Sequence, residues 1–225
     1  MQQQLRLGSL LLFAVSALGA APRPDILAPS VTQSPVPSVL SHAMPTSQDA
    51  EARIKRLKRS FECLDVGSDG MFVCSMKDGM LGSLVRKRIE PVITSTGTLT
   101  LRSVYRDRDW IYHDHVVVRI GDVELRTASL PASSPDVSRR EIRQSGRDSR
   151  GRSRDDYVSE RLSYRGDSDN GILQAIAQAG AAPVSMQLAG GPRLYEKKLS
   201  EDEKRLFVEA VELAALLRAR RSAQP

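Results

Sequence analysis

The sequence predicts an α+β fold, in which an antiparallel β-sheet of about five to seven strands carries two to three helices packed mainly on one face. Three observations support this prediction. Residues 110–128 have the pattern of a β-hairpin, residues 200–221 have that of a capped amphipathic helix, and most strand patterns are separated by short turns. Short connections favour antiparallel pairing, because parallel strands need a longer crossover.

Residues 1–20 have the pattern of a secretory signal peptide. Arg6 precedes an apolar run at residues 10–18, and small residues follow at 19–21. The run is shorter than the roughly 20 residues that a membrane-spanning helix needs. No cysteine lies near the expected cleavage site after Ala20, so no lipid anchor is predicted. We therefore predict a periplasmic or secreted protein; the alternative is an uncleaved N-terminal anchor.

Residues 21–45 predict a disordered or extended tether ahead of a single domain at residues 46–221. Prolines interrupt this stretch too often for a helix or a sheet ladder. They are Pro22, Pro24, Pro29, Pro35, Pro37 and Pro45. The predicted organisation is therefore signal peptide, tether and one folded domain.

Residues 46–61 predict the first helix of the domain. Ala50, Ile54, Leu57 and Phe61 recur at helical spacing and form a narrow apolar stripe, while the other side of the helix is basic. Such a helix either docks on the sheet with a solvated basic face or lies on an anionic membrane surface. We favour docking, because the stripe is narrow and contains no tryptophan.

Cys63 and Cys74 are predicted to form a disulfide bond. They are the two cysteines of the chain and enclose a glycine-rich turn. In an oxidising compartment such a pair is typically bonded. Unpaired buried thiols are the main alternative. A metal site is less favoured, because the spacing is not CxxC and no histidine lies nearby.

The pattern of residues 71–105 predicts short strands. Residues 71–74 form the first, and Pro91 is expected to break the chain. Residues 92–105 are rich in threonine and β-branched residues, and they form one strand or two strands interrupted at Gly97. Glycines leave residues 77–87 undecided.

The hairpin at residues 110–128 turns at Gly121-Asp122. A two-residue turn fixes the register, so Arg119 faces Glu124 and Val118 faces Leu125. One face of the hairpin is therefore mostly apolar, and the other carries a cross-strand pair of opposite charge.

Residues 131–155 predict a long exposed and mobile loop with an arginine-rich tract at 139–154. The chain has a net charge of +6 and a pI of about 9.6, and the tract alone contributes +5. We therefore attribute the basic pI to this tract and not to the surface of the fold. Its candidate anion contacts are Arg139, Arg140, Arg143, Arg147, Arg150, Arg152 and Arg154. No aromatic residue lies within the tract to stack on bases, so nucleic acid is not expected.

The C-terminal third of the sequence predicts three strands, the last two of which form a hairpin, and two helices. In the strand at residues 157–165, the apolar face is formed by Val158, Leu162 and Tyr164. A helix from Ile172 is expected to be capped by Asp167 or Ser168, and residues 184–188 and 193–199 form a hairpin turning at Gly190-Gly191. Ser200 and Glu203 form a capping-box pattern for the final helix, whose core stripe is Leu206, Phe207, Ala210, Val211, Leu213, Ala214 and Leu217.

His113 and His115 are the weak candidates for a metal site. At positions i and i+2 of a strand they leave the same face, and two imidazoles can begin a zinc or copper site. Arg126 shares that face by the hairpin register and is a poor neighbour for a cation. We therefore predict two solvated surface histidines and no metal.

No motif of nucleophilic or nucleotide-dependent catalysis is present in the sequence. It has no GxSxG, SxxK, GxxxxGK[ST] or HExxH pattern, and Asp167 does not begin an EF-hand loop because Gln178 stands where the final Glu belongs. We therefore predict no catalytic residue and no cofactor.

These observations favour an exported, non-catalytic binding protein of the bacterial envelope, whose partner is another envelope protein. An inhibitor or immunity protein of an envelope enzyme is one form of this function. A hydrolase or metal-assisted enzyme using His113 and His115 is an alternative. A third possibility is an anion- or membrane-surface-binding factor that acts through residues 139–154. The expected contact surface is the solvent face of the sheet or the arginine tract.

Overall fold

Ten strands and three helices are present in the part of the chain that the computed structural model describes, residues 47–67, 71–77, 86–143 and 156–223. All strand pairs are antiparallel, which confirms the α+β fold class. The helices are α1 (Ser47–Lys58), α2 (Ile172–Gln178) and α3 (Glu201–Ser222). The strands are β1 (Phe61–Asp65), β2 (Phe72–Met76), β3 (Arg86–Thr94), β4 (Leu99–Asp107), β5 (His115–Ile120), β6 (Val123–Arg126), β7 (Val137–Ile142), β8 (Tyr157–Arg165), β9 (Val184–Ala189) and β10 (Tyr195–Lys198).

The strands form two sheets instead of the single sheet that the sequence predicted. The larger sheet has six strands in the order β1-β2-β3-β4-β8-β7, and the smaller has four in the order β10-β9-β5-β6. The chain leaves the larger sheet after β4 and starts a new ladder at β5, which pairs with β9. The main core lies where apolar side chains of both sheets meet α2 and the start of α3.

The hairpin of β5 and β6 has the predicted register. Ile120 faces Val123, Val118 faces Leu125, and Arg119 donates from Nε to Glu124 Oε2 at 2.8 Å. Residues 110–114, however, are not part of the strand. They form a separate segment that connects β4 of the larger sheet to β5 of the smaller sheet. His113 therefore lies outside the strand to which the sequence assigned it.

The predicted break at Pro91 is wrong, because β3 runs through it. Pro91 faces Leu101 of β4, while β2 pairs with β3 only at Ile93 and Thr94. Proline is tolerated at this position because β2 does not pair with β3 there, so no ladder hydrogen bond from the proline nitrogen is required. The interruption at Gly97 is real. Gly97 has φ of 79°, and a Cβ there would lie 2.5 Å from the carbonyl oxygen of Ala214 in α3.

The predicted loop at residues 131–155 is wrong in its first half. Residues Val137–Ile142 form β7, an edge strand of the larger sheet, with Val137 facing Leu162 and Ile142 facing Tyr157 of β8. The composition of β7 is polar and does not indicate a strand. It forms one because β8 supplies the ladder hydrogen bonds. Residues 144–155 lie outside the described residues.

The terminal helices pack as the docking interpretation expected. Ile54 and Leu57 of α1 are buried in a second core together with Leu213 and Leu217 of α3. The first helix ends at Lys58, so Phe61 begins β1 and not the last helical turn.

The disulfide bond between Cys63 and Cys74 is confirmed, and it joins facing residues of β1 and β2. The capping box of Ser200 and Glu203 is present on α3. The N-cap position of α2 is Gly171, which has no side-chain cap, so the predicted cap by Asp167 or Ser168 is wrong. Asp169 instead accepts from the Gly171 and Leu173 amides at 3.2 and 3.3 Å.

The predicted signal peptide and tether lie outside the described residues. None of the helices in the described ranges combines the length and hydrophobicity that a bilayer crossing requires.

Candidate ligand-binding surface

A buried carboxylate lies at the centre of the polar interior of the protein. Glu160 belongs to the inward face of β8, between Val158 and Leu162, and is fully buried. Its Oε1 accepts from the Ile111 and Tyr112 amides at 2.7 and 2.9 Å. Glu160 therefore ties the segment 110–114 to the larger sheet.

The same carboxylate orients a buried histidine. Oε2 of Glu160 lies 3.1 Å from His113 Nδ1, and His113 Nε2 lies 2.8 Å from Ser103 Oγ. Burial raises the pKa of Glu160, but the bonds from His113 and the two backbone amides outweigh it, and the pKa is lowered. An ionised carboxylate only accepts, so the hydrogen bond between His113 and Glu160 is donated by His113 Nδ1.

Ser103, His113 and Glu160 thus form a line that has the order of a nucleophile, a base and an orienting carboxylate. All three are fully buried, and Ser103 belongs to β4 beneath the second sheet. A nucleophile must reach a bound substrate. Arg139 adds a further donor, from Nε to Glu160 Oε2 at 3.3 Å. The arrangement fits a closed polar network that positions a loop.

Two further contacts hold the segment 110–114 in place. Arg139 donates from Nη2 to the His113 carbonyl oxygen at 2.7 Å. From the other side the β9–β10 turn packs so closely that a Cβ on Gly191 would lie 1.8 Å from the Ile111 carbonyl oxygen. Tyr112 has φ of 54° within this clamp. A tyrosine in the left-handed region costs on the order of 1–3 kcal/mol and persists only where its surroundings impose it.

The clamped segment presents aromatic side chains. Trp110 and Tyr112 stack with ring centroids 5.5 Å apart and an interplanar angle of 21°. The Arg139 guanidinium lies 5.7 Å from the Tyr112 ring centroid, and Tyr112 is 49% exposed. Trp110 is the one tryptophan of the chain.

Trp110 lines a surface pocket of about 430 Å³ at the end of the larger sheet, which we call the Trp110 pocket. Its walls come from the turn after β4, from the end of β7 and from the start of β8. The lining residues are Arg108, Asp109, Trp110, Glu141, Arg143, Asp156, Tyr157 and Val158. Aromatic, carboxylate and guanidinium groups therefore converge on one opening.

A second feature covers the outer face of the larger sheet. The register places seven arginines from four strands on this face, which we call the arginine face: Arg86, Arg88, Arg102, Arg106, Arg140, Arg161 and Arg165. Across one row Arg86 faces Arg106, and Arg140 follows beyond Ser159. Strands about 4.8 Å apart give the array a width of about 14 Å.

Carboxylates neutralise part of this charge, and one of them, Asp136, accepts from Arg165 Nε at 2.6 Å. Glu90, which is fully buried, accepts from Arg102 Nε at 2.6 Å and pairs with Arg88 Nη2 at 2.5 Å. Burial and then the charges of Arg88 and Arg106 lower the pKa of Arg86 to about 10. Burial and then Arg102 likewise lower the pKa of Arg161. Burial and the neighbouring arginines therefore both disfavour the cationic state of these two side chains.

The predicted arginine tract does not act as one site. Arg139 points inward to Glu160, Arg140 lies on the arginine face, and Arg143 lines the Trp110 pocket. Arg147, Arg150, Arg152 and Arg154 lie outside the described residues. The tract accounts for most of the net charge, and strand pairing in addition gathers dispersed arginines onto one face of the larger sheet.

The prediction of two solvated histidines on one strand face is also wrong. His113 lies ahead of β5 and is fully buried, while His115 on β5 is 7% exposed. Nδ1 of His115 lies 2.5 Å from Asp114 Oδ1 and 3.4 Å from Arg126 Nη2. No group of three or more His, Cys, Asp or Glu side chains within the described ranges is arranged to hold a metal ion.

Sequence reasoning missed Glu160, Ser103 and the arginine face. A signal for Glu160 existed, because it shares the inward periodicity of Val158, Leu162 and Tyr164, where a carboxylate needs partners. Ser103 alternates in the same way within β4. The arginine face could be recognised only from the strand order, since its members come from four separate strands.

No protein-family model matches the chain, and no curated protein is similar to it in sequence. Because a fold by itself does not define a function, the geometry of this surface has to carry the functional inference.

Proposed function

We propose that this chain is an exported, non-catalytic binding protein of the bacterial envelope that takes an anionic partner on the arginine face. The observation that carries the proposal is the placement of seven arginines on one sheet face, with the buried Glu90 among them. Clusters of one charge sign attract partners of the opposite sign and speed their association.

The energetics of the arginine face support this proposal. Burial, and after it the charges of neighbouring arginines, lower the pKa values of Arg86 and Arg161 in the free protein. An anionic group placed among them relieves the repulsion between these charges and gains charge-assisted hydrogen bonds.

Export is supported by two features of different origin. The N-terminal sequence has the pattern of a signal peptide, and Cys63 and Cys74 are bonded to each other. Stable disulfides are typical of oxidising compartments such as the periplasm. Mass spectrometry of the protein from cells tests this part: a mature chain without residues 1–20 and with no free thiol is expected. A retained leader with two free thiols would contradict export.

The binding part is tested with dextran sulfate as a probe, by calorimetry on the full mature protein. We expect the double variant Arg140→Gln/Arg161→Gln to weaken binding about tenfold, because two exposed charge pairs contribute roughly 0.5–1 kcal/mol each. The control is Arg205→Gln/Arg221→Gln on exposed positions of α3, which removes the same charge elsewhere. Equal losses for both double variants would show that only net charge matters and would refute the proposed surface.

A protein partner is compatible with the same surface. An inhibitor or immunity protein would use the arginine face against an acidic rim of its target enzyme. Co-purification from the envelope fraction distinguishes this case, because a protein would then be retained by the parent chain and lost from the Arg140→Gln/Arg161→Gln variant.

A further inference from the structure

We propose that the Trp110 pocket binds a sugar ring, so that the anionic partner is an acidic polysaccharide. This inference rests on the proposed function, because it specifies the chemical class of the ligand that the arginine face takes. It adds a site, the pocket, and a recognition chemistry that the arginine face alone does not define.

The composition of the pocket fits a sugar. Trp110 and Tyr157 contribute aromatic rings, whose negative faces attract the C–H bonds on the flat side of a pyranose. Asp109 and Glu141 contribute carboxylates that can accept from sugar hydroxyls, and Arg143 contributes a donor fork. The volume of about 430 Å³ lies in the range of ordinary small-molecule sites.

The pocket is continuous with the arginine face. Tyr157 lines the pocket, and the Arg106 guanidinium lies 5.1 Å from the centroid of its ring. Arg106 belongs to the row that also contains Arg86 and Arg140. A polymer with one unit in the pocket can therefore continue over the sheet, where its carboxylate or sulfate groups meet guanidinium groups.

The pocket wall is also preorganised. Glu160 holds the amides of Ile111 and Tyr112, and the Trp110 ring stacks on that of Tyr112. A rigid aromatic wall reduces the loss of side-chain entropy that accompanies binding. This explains why a fully buried carboxylate and a strained tyrosine lie next to a half-buried tryptophan that lines the pocket.

The mixed charge of the pocket favours a uronic acid over nucleic acid. Carboxylates of Asp109, Glu141 and Asp156 line it beside two guanidinium groups, and Asp109 pairs with Arg193 at 2.8 Å. The hydroxyl groups of a uronic acid ring can donate to the carboxylates, while its one carboxylate can pair with Arg143. A nucleotide offers fewer hydroxyl donors to the same carboxylates. A sugar polymer with one acidic group on each ring therefore fits the pocket and can continue over the arginine face.

The test is calorimetry of the mature protein with three probes: oligosaccharides of alginate, which carry uronic acids, inorganic polyphosphate and single-stranded DNA. We expect alginate oligosaccharides to bind most tightly and to quench the emission of Trp110 in a saturable way. Trp110→Ala should weaken alginate binding at least tenfold, Trp110→Phe should restore most of it, and polyphosphate binding should change less than twofold in either variant.

A second variant keeps the test decisive if Trp110→Ala does not fold. Asp109→Asn is an exposed change in the pocket wall, and it should weaken alginate binding several-fold while leaving polyphosphate binding unchanged or stronger. If Asp109→Asn and Trp110→Ala both leave alginate binding within twofold, or if polyphosphate or DNA binds as tightly as alginate, the sugar site is refuted while the arginine face stands.

The proposed function fails separately. If no polyanion binds with an affinity that depends on Arg140 and Arg161, both the proposed function and the sugar site are overturned. If an acidic envelope protein alone binds the arginine face, the sugar site is refuted and the protein-partner form of the proposed function is retained.

Discussion

Replacing the buried carboxylate should loosen the segment that presents Trp110. In Glu160→Gln the side chain keeps its shape but loses its charge, and one of its two oxygens becomes an NH₂ group that cannot accept from Arg139 or His113. Removing one member of a buried ion pair costs about 3–5 kcal/mol. For a chain of this size 1 kcal/mol corresponds to about 2–4 °C, so we expect the melting temperature to fall by roughly 6–20 °C.

Urea unfolding followed by Trp110 emission measures both the lost stability and its location. Because Trp110 is the one tryptophan of the chain, its emission reports on the clamped segment directly. In the folded variant we expect a red-shifted emission, since the amides of Ile111 and Tyr112 lose an ionised acceptor. Glu203→Gln is the matched control, because Glu203 also has a lowered pKa but belongs to the cap of α3. It should cost about 1 kcal/mol and leave the emission unchanged.

The pH dependence checks the same contact independently. The pKa of Glu160 is lowered in the folded protein, against about 4.3 in an unfolded chain. Its stabilisation is therefore complete above the unfolded value and is lost as the pH falls through the folded one. Glu160→Gln should flatten the loss of stability below about pH 4.3. A variant as stable as the parent, or with the same acid dependence, would refute the role given to Glu160.

Three further predictions follow from the packing and charge of the described residues. Gly191→Ala should lower the melting temperature and shift Trp110 emission, because its Cβ would lie 1.8 Å from a carbonyl oxygen; a parent-like variant would contradict the close approach. Cys63→Ala/Cys74→Ala should cost about 3 kcal/mol in urea unfolding, as expected for a loop of this length, and an unchanged midpoint would contradict a stabilising bond. Arg161→Gln should keep or raise the unfolding free energy while weakening dextran sulfate binding, since the pKa of Arg161 is lowered by burial and then by neighbouring arginines; a loss of stability would contradict the repulsion.

The sequence was sufficient where local rules decide the structure. The turn at Gly121-Asp122 set the register of β5 and β6, and the Ser200–Glu203 box set the start of α3. The pairing of Cys63 and Cys74 was equally local. In each case neighbouring residues carry the whole constraint, so no knowledge of the rest of the fold is needed.

The candidate site was not predictable because it depends on non-local pairing. His113 was assigned to a strand by alternation, but Glu160, 47 residues away, draws it into the interior. Residues Val137–Ile142 look like a loop by composition and become a strand only because β8 offers them an edge. The arginine face combines both effects, since Arg86 and Arg140 meet on one row through three intervening strand pairings.

The most direct test of the arginine face is the ¹⁵N spectrum of arginine side chains during titration of the mature protein with alginate oligosaccharides. We predict that the Nε–H signals of Arg102, Arg140 and Arg161 shift together and saturate, while those of Arg205 and Arg221 on α3 stay in place. Shifts confined to α3 or to the basic side of α1, or no saturable shift on the sheet, would contradict the claim that this face is the binding surface.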